Sequence, residues 1–288
     1  VAGGGGGADP VPDLLSQSGC VDPADVTLPY AGLVPYDLNA PFWSDGAAKD
    51  RHMGLPDGTT ISVDADDDWD FPPGTVTVKN FRLNGRLIET RHLMRHPDGE
   101  WAGYTYEWNA AETEATRVRG GKTVNIDGQD WIYPSGAQCM ECHTEAAGFA
   151  LGLEHGQLNK DFTYPSTGRT ANQLATADAV DLLTAPLPDD PANLVRFPNP
   201  TDVSEPLEAR ARAYLHSNCS GCHQPGGPTP VTLDLRVDTP LAATGTLNVV
   251  PSAGDLGITD ARIIAPGDSA RSVLWQRMRV LDADRMPP

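Results

Sequence analysis

The chain has 288 residues, of which 39% are hydrophobic, enough for two modest domains with their own cores. It carries 21 Lys and Arg against 39 Asp and Glu, a formal net charge of −18, which argues against charge-driven binding to nucleic acid or an anionic membrane. The 29 glycines and 26 prolines predict many turns and short elements, and they argue against a helical bundle. No apolar run approaches the roughly 20 residues of a membrane helix, so we expect no transmembrane segment.

Residues 1–40 show little periodicity and predict an extended N-terminal segment. The glycine run 3–7 has the composition of a flexible tether downstream of a removed signal or lipid-anchor sequence. A tail without an anchor explains the run equally well. Cys20 lies in this segment, and we expect a buried, inert thiol rather than a reactive thiol or an intermolecular bridge.

Residues 41–162 predict a β-rich domain. Strand patterns at 75–83 and 86–96 flank Asn84-Gly85, the strongest short signal for a β-hairpin. The next strand should present one aromatic face, because three aromatic residues alternate along it: Tyr104, Tyr106 and Trp108. After the last strand, at 131–133, a helix is expected over 144–160, with glycines every fourth residue that allow close approach of another surface: Gly148, Gly152 and Gly156.

Four of the five cysteines form two copies of one pattern: Cys139-Met-Glu-Cys142-His143 and Cys219-Ser-Gly-Cys222-His223. Cys-x-x-Cys-His is the attachment signature of c-type haem. The two intervening residues let two thioethers reach the two vinyl groups of one porphyrin, and the histidine that follows binds iron as proximal ligand. The sequence therefore predicts two covalently attached haem c groups, with His143 and His223 as proximal iron ligands.

Three other interpretations of the cysteines are weaker. Zinc sites built from two Cys-x-x-Cys pairs usually separate them by about 15–20 residues, whereas 77 positions separate Cys142 from Cys219. A thioredoxin-like redox pair needs a βαβ context that neither motif has. Two disulfides, each closing a four-residue ring, would remove little conformational entropy from the unfolded chain.

Residues 163–203 predict a Pro-rich connector with one helical patch at 172–183. Residues 204–288 then predict a helical domain. Ser204 is expected to cap a helix that leads to Cys219, with apolar-face positions Leu207, Ala211, Tyr214, Leu215 and Asn218. A second helix should begin at 266–269, with one apolar face formed by Val273, Leu274, Met278 and Leu281.

Two helices around a Cys-x-x-Cys-His motif and a final Met-Pro-Pro resemble a class I cytochrome c domain. The expected fold class is therefore α+β, with an N-terminal antiparallel β domain carrying one haem and an α-helical class I cytochrome c-like domain carrying the second. An ordinary class I domain has one more helix after the Met-Pro-Pro loop. The given sequence ends at Pro288, so we expect this domain without that helix.

Met286 is the expected distal ligand of the second haem, because two prolines hold its loop extended. Ligation by His223 and Met286 would raise the reduction potential relative to two histidines. The first haem has no methionine between His143 and Cys219. Its distal position is either open or filled from upstream, and His92, Met94 and His96 share one strand face. Met94 and His96 are favoured among the upstream candidates: His52, Met53, His92, Met94 and His96.

Two further histidines lie close in sequence to the motifs. His155 lies about 18 Å from His143 along a continuous helix, too far to bind the same iron. His216, three residues before Cys219, is expected beside the second haem.

Several runs resemble a mostly uncharacterised family of bacterial dihaem c-type cytochromes, whose domain also occurs fused to sugar-dehydrogenase-like propellers. The resemblance spans roughly residues 12–288. The matching runs are PYDLNAPFWSDG at 35–46, ETR at 89–91, GYTYEWN at 103–109, YPS at 133–135, GF and LGL at 148–153, YL and NC at 214–219, PGD at 266–268 and MPP at 286–288. It implies an exported electron-transfer protein, and the family has no established catalytic residues to carry over to this sequence.

The predicted function is electron transfer between redox partners by a dihaem cytochrome c, not enzymatic catalysis. Because haem c is attached outside the bacterial cytoplasm, we expect a periplasmic or cell-surface protein. The charge of −18 predicts partners with a basic docking face. Two alternatives stay open: a dihaem peroxidase-like enzyme with one open haem, and a self-assembling, haem-bearing subunit of an extracellular assembly.

Overall fold

The computed structural model describes residues 11–287, so the glycine run 3–7 and Pro288 lie outside the described residues. The chain forms two compact units, each discontinuous in sequence. The first unit comprises Val1–Asp37, Ser44–Met140 and Lys160–Ala192, and the second comprises Leu38–Trp43, Glu141–Asn159 and Asn193–Pro288. The boundaries of these units differ from those of the expected segments 1–40, 41–162 and 163–203. The division falls inside the first cysteine motif, between Met140 and Glu141.

The twelve strands of the described chain are two to ten residues long, and all of them belong to the first unit. A six-stranded antiparallel sheet has the order β1-β2-β5-β6-β7-β8, and three two-stranded ribbons pair β3 with β4, β9 with β10 and β11 with β12. The strands are β1 Val34–Tyr36, β2 Ala48–Gly54, β3 Ser62–Val63, β4 Trp69–Asp70, β5 Val76–Leu83, β6 Arg86–Arg95, β7 Trp101–Trp108, β8 Ala115–Val118, β9 Lys122–Ile126, β10 Gln129–Tyr133, β11 Asp161–Thr163 and β12 Thr170–Asn172.

The hairpin at the centre of the large sheet is confirmed. Strands β5 and β6 are joined by Asn84 and Gly85, whose φ angles are 51° and 82°. Two successive positive φ angles are what a type I′ turn requires, and its twist matches that of the flanking strands. The two-residue turn therefore sets the register of the sheet around it.

One face of the large sheet, here called the N-terminal face, carries His52, Val78, His92 and Tyr104 in one row across four strands. The alternating aromatic residues of β7 lie on this face, as predicted, and pack with segment 11–26 of the chain. That cluster contains Val11, Leu15, Val21, Val26, Leu87, Met94, Tyr104, Tyr106, Trp108 and Ala115. The cluster makes the N-terminal face part of the hydrophobic core.

The opposite face, here called the Cys139 face, carries two rows of residues in register. One row contains Met53, Thr77, Leu93 and Gly103. The next contains Tyr36, Arg51, Lys79, Arg91 and Thr105. At one end of this face the β9–β10 ribbon packs on the sheet, with Trp131 against Phe81 at 5.8 Å between ring centroids.

The expected fold class is wrong in its C-terminal half. The structure is 26% strand and 19% helix, and residues 11–287 contain no α-helical cytochrome c domain. The α-helices are α1 Gly136–Cys142, α2 His155–Leu158, α3 Gln173–Ala179, α4 Leu207–Leu215 and α5 Val273–Arg277; a π-helical turn spans His216–Ser220, and 3₁₀ turns span Leu15–Gln17, Glu145–Ala147, Pro191–Asn193, Leu241–Ala243 and Ser269–Arg271. None of the helices in the described range is long and apolar enough to cross a membrane.

Both C-terminal helices exist in part, but they lack the predicted apolar faces. Helix α4 begins after Pro206 rather than under a Ser204 cap, and Leu207 is 75% exposed. Helix α5 has only five residues, and Leu281, expected on its apolar face, is 92% exposed. Prolines, glycines and turns interrupt the chain between them, so no long helix propagates.

The helix expected over 144–160 is also wrong. Gly148, Phe149 and Gly152 have φ angles of 62°, 57° and 82°, which are left-handed and end any right-handed helix. Only a 3₁₀ turn and α2 remain. The glycines therefore do not form a stripe along one helix.

The second unit is held together largely by polar side chains. Gln157 accepts the Ala40 N–H at 2.8 Å and donates to the Ala40 carbonyl at 3.0 Å and to Ser217 Oγ at 2.7 Å. Asn39 Nδ2 donates to the carbonyls of Gly156 and Asn159. Four of these bonds are buried and the bond to Ser217 is partly buried, so each is costly to leave unmade.

We expect Gly156→Ala to destabilise the protein by about 1–3 kcal/mol, or more, through overpacking. A Cβ atom at this position would lie 2.2 Å from Phe197 Cε1, and the Phe197 ring is itself buried against His216. The midpoint of urea unfolding measures the loss. A double variant with Phe197→Leu should recover part of it, and strict additivity of the two changes would contradict the contact.

Candidate functional site

The first motif lies on helix α1, which follows β10 directly. Pro134 separates the two elements, and the Cys139 N–H donates to the Ser135 carbonyl at 3.0 Å to open the helix. Helix α1 ends after seven residues, at Cys142. The local sequence thus places Cys139 and Cys142 on a single turn of helix.

Cys139 lies on the Cys139 face of the sheet, against β7. A Cβ atom at Gly103 would be 2.4 Å from Cys139 Cβ and 2.7 Å from its Sγ, so only glycine fits there. Burial and the charge of Glu89 raise the pKa of the Cys139 thiol, while Arg91, the Thr105 hydroxyl and Lys79 lower it. The thiol is therefore half-buried, with both cations and a carboxylate nearby.

His143 has the hydrogen bond expected of a metal-binding histidine. Its Nδ1 lies 2.5 Å from the Phe149 carbonyl oxygen, which the left-handed turn at Gly148 and Phe149 directs back toward the ring. Nδ1–H as donor to a carbonyl fixes the tautomer in which Nε2 carries the lone pair for a metal. This geometry fits a proximal haem ligand.

The second motif begins in the π-helical turn His216–Ser220 that continues α4. Such turns are rare and occur frequently at functional sites. The N–H groups of Cys222 and His223 both donate to the Cys219 carbonyl. His223 Nδ1 makes a long contact of 3.5 Å with Thr229 Oγ1, and burial lowers the pKa of His223, which favours the neutral imidazole that binds metal.

The two motifs meet within the second unit. Gly221 faces the Cys142 carbonyl and the side chains of Ala147 and Leu151, and Cys222 Sγ lies 3.9 Å from the Glu141 carbonyl oxygen. A hydrogen bond from Cys142 lowers the pKa of Cys222 to about 7, whereas burial raises the pKa of Cys219 to about 12. No disulfide joins any of the cysteines in the described chain.

A cavity of about 410 Å³ lies between the segments that follow the two motifs. Thr144, Glu145 and Ala146 line it from one side and Pro225, Gly226 and Pro228 from the other. Thr144 Oγ1 is buried with no hydrogen-bond partner among the described residues. The orphaned hydroxyl and the volume are both features of a ligand cavity.

His216 is engaged at both ring nitrogens and has a structural role. Nε2 lies 3.1 Å from each carboxylate oxygen of buried Glu154, and Nδ1 accepts the Val237 N–H at 3.1 Å. The Phe197 ring packs edge-on against the imidazole at 4.8 Å. His155, in α2, is 3% exposed. The structure thus places both histidines in the core of the second unit.

Most distal-ligand candidates of the first haem lie away from Cys139. His52, His92 and Met94 lie on the N-terminal face, since they pair with Val76 and Val78 of β5. His96 follows β6, and its Nε2 lies 2.7 Å from Tyr104 Oη. Among the five upstream candidates, only Met53 shares the Cys139 face, in the register row of Gly103.

Met286 is 39% exposed, and its backbone N–H donates to the Arg277 carbonyl at 2.9 Å. That Met286 and His223 bind the same haem iron stays a prediction. Cys20 is buried, and burial raises the pKa of its thiol, in agreement with an inert cysteine.

Sequence reasoning missed Phe149, whose carbonyl orients His143, and the cations beside Cys139. The Gly148-Phe149 pair was a weak signal for a turn that directs the Phe149 carbonyl toward His143. The alternation of Lys49 and Arg51 along β2 was a signal for the cations beside Cys139.

Comparisons of this chain with protein-family models, with curated proteins and with solved structures found no match. Within residues 11–287, no group of three or more His, Cys, Asp or Glu side chains is arranged to hold a metal ion.

Proposed function

We propose that this chain is an exported dihaem c-type cytochrome that transfers electrons between redox partners. The observation that carries the proposal is that two complete Cys-x-x-Cys-His motifs occur in one chain and that Cys142 and Cys222 lie side by side. Haem, when attached, supplies reversible one-electron chemistry at iron. Adjacent attachment points suit a relay, because electrons pass most readily between cofactors held close together.

The residues around the motifs support this assignment. The His143–Phe149 hydrogen bond holds one imidazole in the tautomer that leaves Nε2 for iron. The second unit also buries few large apolar side chains: 11 of the 35 buried hydrophobic residues of the described chain belong to it, and five of those are alanines. An apolar macrocycle would complete such a small core.

The surface charge supports protein partners with a basic docking face. At a formal charge of −18, association with a cationic partner should be fast at low ionic strength and slow as salt is added. Attachment of haem c outside the bacterial cytoplasm supports a periplasmic or cell-surface location.

Intact mass under denaturing conditions, after expression with a haem c maturation system, tests the proposal. We expect the mass of the polypeptide plus two haem groups. Replacing Cys139 and Cys142 by Ala should remove one haem, and replacing Cys219 and Cys222 should remove the other. Cys20→Ala, a buried cysteine outside the motifs, is the matched control and should retain both haems. A colourless protein with the bare polypeptide mass would rule the proposal out.

One observation favours a second candidate, a peroxidase-like enzyme with an open first haem. His52, His92 and Met94 lie on the sheet face opposite Cys139, which leaves Met53 as the upstream candidate on the same face. Carbon monoxide added to the reduced protein separates the two candidates. Stoichiometric binding at one haem favours the enzyme, and no spectral change in wild type together with binding in Met53→Ala favours the carrier with Met53 as ligand.

A further inference from the structure

Three cations lie in register on the Cys139 face. Arg51, Lys79 and Arg91 occupy directly opposed positions on strands β2, β5 and β6, and they are here called the cation row. Like charges directly opposite each other on neighbouring strands destabilise a sheet. An anion bound beside such a row would relieve this repulsion.

The neighbouring carboxylates do not compensate the row fully. Glu89 holds Arg91 through two hydrogen bonds of 2.6 and 2.9 Å, while Asp37 is shared between Arg51 and Lys160. In the described chain Lys79 forms no ion pair with a carboxylate. Two further lysines and three carboxylates lie around the row: Lys49 and Lys160, and Asp37, Asp45 and Glu89.

Burial and the neighbouring cations lower the pKa of two lysines in this cluster. Burial, followed by the charges of Arg51, Lys79 and Arg91, lowers the pKa of Lys49 to about 6. Burial, followed by the charges of Arg51 and Arg91, lowers the pKa of Lys79 to about 8. An anion held by the row would restore both ammonium groups. A cluster of cations also contrasts with the formal charge of −18 of the whole chain.

A buried tyrosine points to the same ligand independently. Tyr36 is the next residue of the same register row, beside Arg51, and is 4% exposed. Its Oη is buried with no hydrogen-bond partner among the described residues. A phenol hydroxyl is a good donor to a carboxylate, and leaving it buried and unpaired is costly.

The row lies within reach of Cys139. Thr105 ends the row on β7, and Cys139 packs at Gly103, two residues along the same strand. With strands about 4.8 Å apart, Lys79 is about 10 Å from β7. Lys79 and Arg91 also interact electrostatically with the Cys139 sulfur. In haem, the propionate groups and the vinyl groups lie on opposite edges of the porphyrin. The propionates of a haem attached at Cys139 would therefore contact side chains at a distance from the thioether bond.

We propose that the cation row and Tyr36 form a carboxylate-binding site that takes the two propionates of the haem attached at Cys139. This inference rests on the proposed function and adds a role for residues of the first unit. Lys79 and the Tyr36 hydroxyl, neither of which has a carboxylate partner among the described residues, would each gain one in the propionates.

Redox titration of the haem-loaded Lys79→Met variant tests the site. We expect two haems by mass, a three- to tenfold fall in the reduction equilibrium constant of one haem, and no change in the other. The reason is that a nearby cation favours the reduced, less positive haem. Lys122→Met is the matched control, because Lys122 pairs with Glu107 and not with a residue of the row, and both constants should stay unchanged. Tyr36→Phe, which removes only the hydroxyl, should shift the same haem in the same direction.

Other outcomes separate the competing explanations. A Lys79→Met protein that keeps two haems and melts higher than wild type, with both reduction constants unchanged, overturns the site but leaves the proposed function intact. Inorganic phosphate titrated onto the wild-type haem-loaded protein should not raise its melting temperature. A saturable rise that requires Lys79 would assign the row to a free anion instead. A protein without haem overturns the proposed function and this inference together.

Discussion

Gly103→Ala should lower haem loading at the first motif from one haem per chain to a minor fraction. The new Cβ would lie 2.4 Å from Cys139 Cβ, an atom one bond from the backbone of α1, so the conflict cannot be relieved by a side-chain rotation. Helix α1 must therefore move off β7, and the protein should also lose about 1–3 kcal/mol of stability. Intact mass and the haem absorbance per chain measure the first effect, and urea unfolding measures the second.

Gly120→Ala is the control for this substitution, because a Cβ atom there meets no atom within 4 Å. It should retain both haems and wild-type stability. If Gly103→Ala also carries two haems and unfolds at the wild-type urea concentration, Cys139 is not held against β7 in the haem-loaded protein.

Stability should fall steeply as the pH drops from about 6.5 to 4, and His92 should account for most of the loss. Burial lowers the pKa of His92 to about 4, against about 6.5 in an unfolded chain. Between these values the unfolded chain binds one more proton than the folded chain, so stability rises with pH through this window and is lost as pH decreases through it. The difference corresponds to about 3 kcal/mol for this one group. Burial lowers the pKa of His52 as well, which adds to the loss in the same direction.

His92→Phe should remove most of this pH dependence. Both ring nitrogens of His92 are buried without partners among the described residues, and the ring packs 5.2 Å from that of Tyr106, so an apolar ring fits the site. We therefore also expect a higher melting temperature at pH 7. Melting temperatures measured at pH 4.5, 5.5 and 7.5 test both statements. His96→Gln, at the end of β6, serves as the control, and equal slopes for wild type and His92→Phe would contradict the assignment to His92.

The predicted features that hold are those with a local cause. The Asn84-Gly85 turn needs only two residues in the left-handed region, and the alternation of Tyr104, Tyr106 and Trp108 needs only the pleat of a strand. The short helix α1 follows from Pro134 and Gly136. In each case the residues that decide the structure are neighbours in the chain.

The predicted features that failed depend on partners far apart in sequence. The apolar spacing after Ser204 indicates a helix, and α4 exists, yet Leu207 is exposed because no second long helix is there to cover it. The helix expected over 144–160 ends where Gly148 and Phe149 take left-handed angles, and this turn returns the Phe149 carbonyl to His143. Helical periodicity in a sequence does not indicate whether another element covers the helix or whether a left-handed turn ends it.

By itself, the sequence determined the presence and spacing of the two Cys-x-x-Cys-His motifs, the acidic charge of the chain and the central hairpin, because each depends on residue type and short spacing. Only the tertiary structure decided which sheet face Cys139 contacts, and hence that His52, His92 and Met94 lie opposite it while Met53 and the cation row lie beside it. A strand pattern defines two faces, but the segment that packs on each face comes from elsewhere in the chain. Segment 11–26 covers one face and α1 reaches the other, and no local pattern in β2 or β6 records that choice.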